Sequence, residues 1–201
     1  MDLDEQHLDE LCDALGDTES ATLLVVADPA ATVESVAAEL GARLAQEQAS
    51  GWDGAEEETA WALVAVAGGV LAFEDTGYGD PSLAALSALS RGGTASVVRS
   101  NIDGSERFGY ARGGEVLFDD DEYCFLEDTS EVPDEVRALV ELACLDPEED
   151  DDAEDAPSGF VVGLALVEQV TGTRLLPADL QRAVSAPRRP APSLVYGGGE
   201  S

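Results

Sequence analysis

Apolar positions recur along this chain with two periods, and the period switches from segment to segment. Residues 3–15 place Leu3, His7, Leu8, Leu11, Cys12 and Leu15 on one helical stripe with acids opposite, which predicts an amphipathic N-terminal helix. The run 22–27 (TLLVVA) reads as a covered strand. Thr32 then caps an expected helix over 33–48, with Val33, Val36, Ala37, Leu40 and Leu44 as its apolar face. A polar loop over 49–58 holds Trp52. Strands are expected at 60–67 and 70–74, joined through Gly68-Gly69. Asp80 and Pro81 fit the N-cap and first position of a helix that turns Leu83, Leu86 and Leu89 inward and stops at Gly92.

Residues 94–119 read as a three-stranded meander with two-residue turns at Asp103-Gly104 and Gly113-Gly114. Those turns place Arg99 opposite Phe108, Val97 opposite Tyr110, Tyr110 opposite Leu117 and Arg112 opposite Glu115. Val97, Phe108, Tyr110 and Leu117 then share one face, with Arg99, Asn101 and Glu106 towards its end. Ser96, Val98, Gly109, Ala111, Val116 and Phe118 share the other, whose small middle residues suit a closely packed helix. After the acidic segment 119–131, Pro133 opens a helix with Val136, Leu139, Val140 and Ala143 aligned. Residues 146–155 hold eight acids in ten positions and read as a solvated linker. Ser158 caps a helix that runs through Thr171 to Gly172, and Pro177 starts a last one ending at 184.

This pattern predicts the α+β class: a mostly antiparallel sheet of about six strands with helices packed on it and a C-terminal helical segment. The expected division is an N-terminal helix over 1–19, an α+β domain over 20–145 and an acidic linker over 146–157. A helix pair packed on the domain follows over 158–184, then a disordered Pro/Gly-rich tail over 185–201.

Several of these pieces come in an order that resembles an uncharacterised actinobacterial domain family. They are the strand–helix opening VVADPAATVESVAAELGA, the helix end from Leu86 to Gly92, the hairpin of RFxYxxxGxxL type within Asn101 to Leu117, and the TGxRLxPxxL segment within Leu164 to Leu180. The resemblance spans about residues 20–184. It implies an α+β architecture and brings no established activity with it.

Composition narrows the partners. The chain carries 43 acidic residues against 10 basic ones, all arginine, for a net charge of −33 on 201 residues. Such a surface repels nucleic acid and anionic membrane, and leaves basic proteins, cations or plain solubility as what the charge serves. Removing the acids of 146–155 changes −33 only to −25, so the body itself is acidic. Residues 1–15 carry acids where a signal peptide would be basic and then apolar. No apolar run reaches the roughly eighteen residues of a membrane span, so a cytoplasmic location is expected. Cys12, Cys124 and Cys144 form no CxxC pair. With His7 as the sole imidazole, neither a disulfide framework nor structural zinc is expected, and the thiols read as small, largely buried groups.

No catalytic residue is assigned, because Ser or Cys nucleophiles need a base beside them, and no cofactor fingerprint is present. Asp119, Asp121 and Glu122 form a weak cation cluster without the spacing of a dedicated metal loop. The more specific feature is an arginine island: Arg91, Arg99, Arg107 and Arg112 against Asp103 and Glu106. Tyr78, Arg91, Arg99, Asn101 and Arg107 are the candidate ligand-binding residues, offering donors to a carboxylate or phosphate. The competing reading pairs these arginines with neighbouring acids, as Arg112 with Glu115.

Three functional expectations follow. The first is a non-enzymatic interaction module, an immunity- or antitoxin-like inhibitor of a basic protein. The second is a small anionic-ligand binder or enzyme built on the arginine island. The third is an acidic domain whose charge has no recognition role.

Overall fold

Among the described residues, a seven-stranded antiparallel sheet with helices on both faces organises the chain. The computed structural model describes residues 3–16, 20–42, 58–145 and 157–192. The strands are β1 (Ala21–Ala27), β2 (Glu58–Val66), β3 (Gly69–Glu74), β4 (Thr94–Ser100), β5 (Glu106–Arg112), β6 (Glu115–Asp120) and β7 (Arg188–Pro192), in the order β6-β5-β4-β1-β3-β2-β7. The helices are α1 (Glu5–Leu15), α2 (Val33–Glu39), α3 (Leu83–Leu89), α4 (Asp134–Ala143), α5 (Gly159–Thr171) and α6 (Pro177–Ser185), with a 3-10 turn at Tyr123–Phe125.

Strand alternation sends side chains to two separate cores. Leu23, Val25, Leu71, Phe73, Val98, Phe108 and Tyr110 pack under α1, α4, α5 and α6. Leu24, Val26, Trp61, Val70, Ala72, Val97 and Ala111 pack under α2 and α3. Because both faces are covered, β1 and β4 are buried at nearly every position, which is why β1 reads as an unbroken apolar run. The α5 helix sits closest to the sheet: a methyl group on Gly163 would run into Val98 Cγ2 and stand 2.9 Å from the Tyr123 hydroxyl.

Several expectations hold. Thr32 accepts from Ser35 N and caps α2, with Ser35 answering back to the Thr32 backbone. Val136, Leu139, Val140 and Ala143 are the buried residues of α4. Gly172 ends α5 in the left-handed region.

Others are corrected. The helix expected over 33–48 stops at Glu39, with Gly41 at φ +66° beyond it; Leu44 lies outside the described residues, as do Trp52, residues 146–156 and residues 193–201. The β2–β3 turn is Ala67-Gly68, because Val66 pairs with Gly69. Gly69 is a strand residue, and a methyl there would strike Val26 O. The α3 helix is capped by Ser82, which accepts from Ala85 N, rather than by Asp80, and Leu83 points outward. The three thiols are half-buried rather than largely buried. Residues 188–192, expected in a disordered tail, form β7 against β2. An edge strand tolerates Pro190 and Pro192 because its outer side needs no ladder donors.

The meander register is also corrected. Arg99 faces Arg107, Val98 faces Phe108 and Ser96 faces Tyr110. The β4–β5 loop is three residues, Ile102 to Gly104, closed by Asn101 N donating to Ser105 O at 3.2 Å, with Gly104 at φ +80°. A turn ending in a left-handed residue fits a three-residue hairpin loop, not a two-residue one. One residue of slip moves Val97 and Arg99 to the face opposite Phe108 and Tyr110. Beyond it, Arg112 does face Glu115, but a bulge at Tyr110/Ala111 brings Phe118, not Leu117, opposite Tyr110.

Candidate functional site

The corrected register lines up polar side chains across the face that carries α2 and α3. Arg107 faces Arg99, Arg99 faces Thr22, and Thr22 faces Glu74. Arg99 and Arg107 are 5% and 3% exposed, and Thr22 and Glu74 are fully buried. Charges in such a place must be paired.

The pairing comes from the loop after β3. Glu74 holds that loop down: its Oε1 accepts from Thr76 N at 3.1 Å and from the Thr76 hydroxyl, and its Oε2 accepts from Gly79 N at 3.1 Å. Gly77 lies against Ser100 O, and Gly79 against Glu74 and Trp61, too close for any side chain. This descent delivers Asp80 between the arginines. Arg99 Nη1 donates to Asp80 Oδ2 at 2.6 Å, and Arg107 Nη1 donates to Asp80 Oδ1 and, at 2.9 Å, to Pro81 O. Arg107 Nε and Nη2 donate to Asp119 Oδ1 at 2.8 and 2.6 Å. Arg99 Nη2 reaches Ser105 Oγ and Asp121 Oδ1, each at 3.3 Å. Arg99 Nε and Thr22 Oγ1 are buried without a hydrogen-bond partner among the described residues.

Burial pushes the Asp80 and Asp119 carboxyls above their ordinary range, against the downward pull of the nearby guanidinium charge. Burial opposes the charge of Arg107 as well, but Asp80 and Asp119 outweigh it and hold its pKa up.

The sequence candidates therefore have distinct fates. Arg99 and Arg107 come together, with their donors turned inward. Asn101 is buried beside them and works on the backbone, its Oδ1 accepting from Asp103 N at 3.0 Å and Ser105 N at 2.9 Å. Tyr78 is half-buried on the loop after β3, its backbone N–H donating to Thr76 Oγ1 at 3.3 Å. Arg91 is exposed after α3, apart from the cluster. Arg112 forms its ion pair with Glu135 at 3.2 Å, not with Glu115. Asp119 and Asp121 turn to the arginines, while Glu122 faces solvent. Among the described residues, no group of three or more His, Cys, Asp or Glu is placed to hold a metal ion. Asp80, Glu74 and Ser105 were missed; the only signal for Asp80 is that two buried arginines require acids from somewhere, and Glu74, which binds the loop itself, and Ser105, a neutral hydroxyl, had none.

A second polar group lies under α1. His7 is 7% exposed, and its Nε2 is 3.0 Å from Glu168 Oε1. Glu168 also accepts from Leu175 N at 2.5 Å, and Arg174 bridges it to Asp4 at 3.5 and 2.7 Å. A shallow depression of about 380 Å³ opens beside these groups. Its acids and bases already bind one another, so it too is self-satisfied.

What remains outside is acid. Of the nine described arginines, eight are paired with the chain's own carboxylates. Glu5, Asp9, Glu10 and Asp13 line the open side of α1, and Asp121, Glu122, Glu127, Asp128 and Glu131 are exposed between β6 and α4, with Asp134 at the start of α4. No helix among the described residues is long and apolar enough to cross a membrane.

No curated protein and no solved structure matches the chain. A family model does match, over residues 11–185, which takes in the whole arginine cluster and the acidic stretch after β6 but not the Asp4–His7 turn. The chain belongs to this family, DUF6461, a family of unknown function.

Proposed function

We propose that this protein is a cytoplasmic, non-enzymatic interaction module that recognises a basic protein, in the manner of an immunity protein or antitoxin that neutralises a cationic partner. One observation carries the reading. The chain's cations are almost all bound to its own acids, eight of nine described arginines, so the charge offered to a partner is an acidic exterior. Such a surface steers cationic proteins, speeds their encounter and repels polyanions. The rival reading, a small-anion site on the arginine island, has weaker support, because the donors it needs hold Asp80 and Asp119 instead.

Affinity capture from the native host tests the proposal, with the immobilised chain washed at about 50 and then 500 mM salt, across which the screening length falls to a few ångströms. One basic protein retained at low salt, released at high salt and forming a defined complex when purified is the expected result. Retention indifferent to salt, or no basic protein at all, overturns it.

A further inference from the structure

We infer that the basic partner docks on the end of the sheet where the β4–β5 turn meets the Tyr123–Phe125 turn, with Ile102 and Phe125 as its apolar anchors. This deepens the proposed function and rests on it. Phe125 is 68% and Ile102 67% exposed, more than Leu83, Leu117, Leu145 or Leu176. In a chain with 5% aromatic residues, a phenylalanine spent on the surface is unusual. Tyr123 and Phe108 show where such rings otherwise go, both fully buried with centroids 5.8 Å apart.

Both anchors stand on held backbone. Asn101 Oδ1 and the Gly104 N–H to Asn101 O bond fix the turn that presents Ile102. Ser105 Oγ donates to Asp121 O at 3.0 Å, tying that turn to the exit of β6. Cys124 Sγ donates to Glu106 Oε2 at 3.0 Å, Tyr123 donates to Gly159 O, and Phe125 N donates to Glu122 O at 2.8 Å. The surface is therefore set before binding, which lowers the ordering cost of association.

The surrounding charge selects the partner. Asp103, Asp121, Glu122, Glu127 and Asp128 are exposed around these two turns; Arg99 and Arg107 behind them are buried and paired, and Arg137, which donates to Thr129 O at 3.1 Å, is paired with Asp134. Apolar anchors within a charged rim match the layout of interface hot spots. The complement is a protein surface with an apolar pocket rimmed by lysine or arginine. A second copy of this chain would set acid against acid.

A short synthetic peptide alternating arginine and leucine is the probe, titrated into the isotopically labelled protein at low salt and followed by amide chemical shifts. An arginine–glycine peptide serves as the charge-only control. The expected result is perturbation centred on residues 101–106 and 121–128, and binding weakened about tenfold or more in Phe125→Ala and in Ile102→Ala. Leu83→Ala, on the exposed side of α3, should bind as the wild type does, and the glycine peptide should bind more weakly and ignore Phe125→Ala. Perturbation centred on α1, or unchanged affinity in both anchor variants, overturns this surface and leaves acidic recognition standing. No binding of either cationic peptide overturns both.

Discussion

Arg99 stands directly opposite Arg107 on adjacent antiparallel strands, so two buried like charges are cross-strand neighbours. Such a pair is destabilising by itself, and it holds because Asp80 gives one carboxylate oxygen to each. Asp80→Ala should therefore cost about 3–5 kcal/mol, the usual effect of removing one partner from a buried ion pair. Asp80→Asn, which keeps an acceptor, should cost less. Urea denaturation monitored by far-UV circular dichroism measures both. A stability of Asp80→Ala within about 0.5 kcal/mol of wild type, as at an ordinary surface site, would show that the cluster holds nothing together.

Close packing of α5 gives a second expectation. In an exposed helix Gly→Ala gains about 1 kcal/mol, but at Gly163 the new methyl meets Val98 Cγ2 and the Tyr123 hydroxyl. Both neighbours are fully buried and have nowhere to move. Gly163→Ala should lose about 1–3 kcal/mol from overpacking. Adding Val98→Ala should recover part of that loss, so the double variant is more stable than the two separate effects sum to. Simple additivity in the four-way comparison contradicts the contact.

Alkaline pH should weaken the fold. Burial raises Tyr110 and Tyr123 above the ordinary 10.0, helped for Tyr110 by its hydrogen bond to Glu135. Burial likewise raises Cys12, Cys124 and Cys144 above 9.0. These groups lose their protons in the unfolded chain first, so the folded state binds more protons and stability falls as pH rises. The decline should begin near pH 9, where unfolded thiols ionise, and steepen above 10. Tyr123→Phe should flatten the steeper part. Thermal midpoints between pH 7 and 11 check this, and a flat profile would contradict it.

Helical faces were legible in the sequence because a 3.6-residue period depends only on which side must be covered: Val136, Leu139, Val140 and Ala143 lie where that period puts them. Register was less legible. Asp103-Gly104 fits a two-residue or a three-residue turn equally well, and only the closure by Asn101 and Ser105 chooses. That single choice decides whether Arg99 shares a face with Phe108 or with Arg107. The arginine island was visible as composition, but its counter-charge was not. Asp80 precedes Arg99 by 19 residues and Arg107 by 27, and locally it reads as a helix cap. Nothing in the sequence distinguishes Phe125 from a core aromatic, since its exposure follows from Tyr123 taking the buried place beside Phe108.

Salt separates the exterior from the interior. With a net charge of −33 and almost all described arginines already paired, the surface acids repel one another and destabilise the compact state. That repulsion is screened as the Debye length shrinks from about 30 Å at 0.01 M to about 3 Å at 1 M salt. Sodium chloride over this range should raise the thermal midpoint; sulfate is avoided because it stabilises proteins by exclusion as well. The penalty of Asp80→Ala should barely change with salt, because Arg99 and Arg107 are 5% and 3% exposed and lie largely beyond ionic screening. A basic partner should respond in the opposite sense and dissociate over the same range. Midpoints of wild type and variant at both salt concentrations measure the contrast. A wild-type midpoint that falls with salt would mean that attraction, not repulsion, dominates the surface.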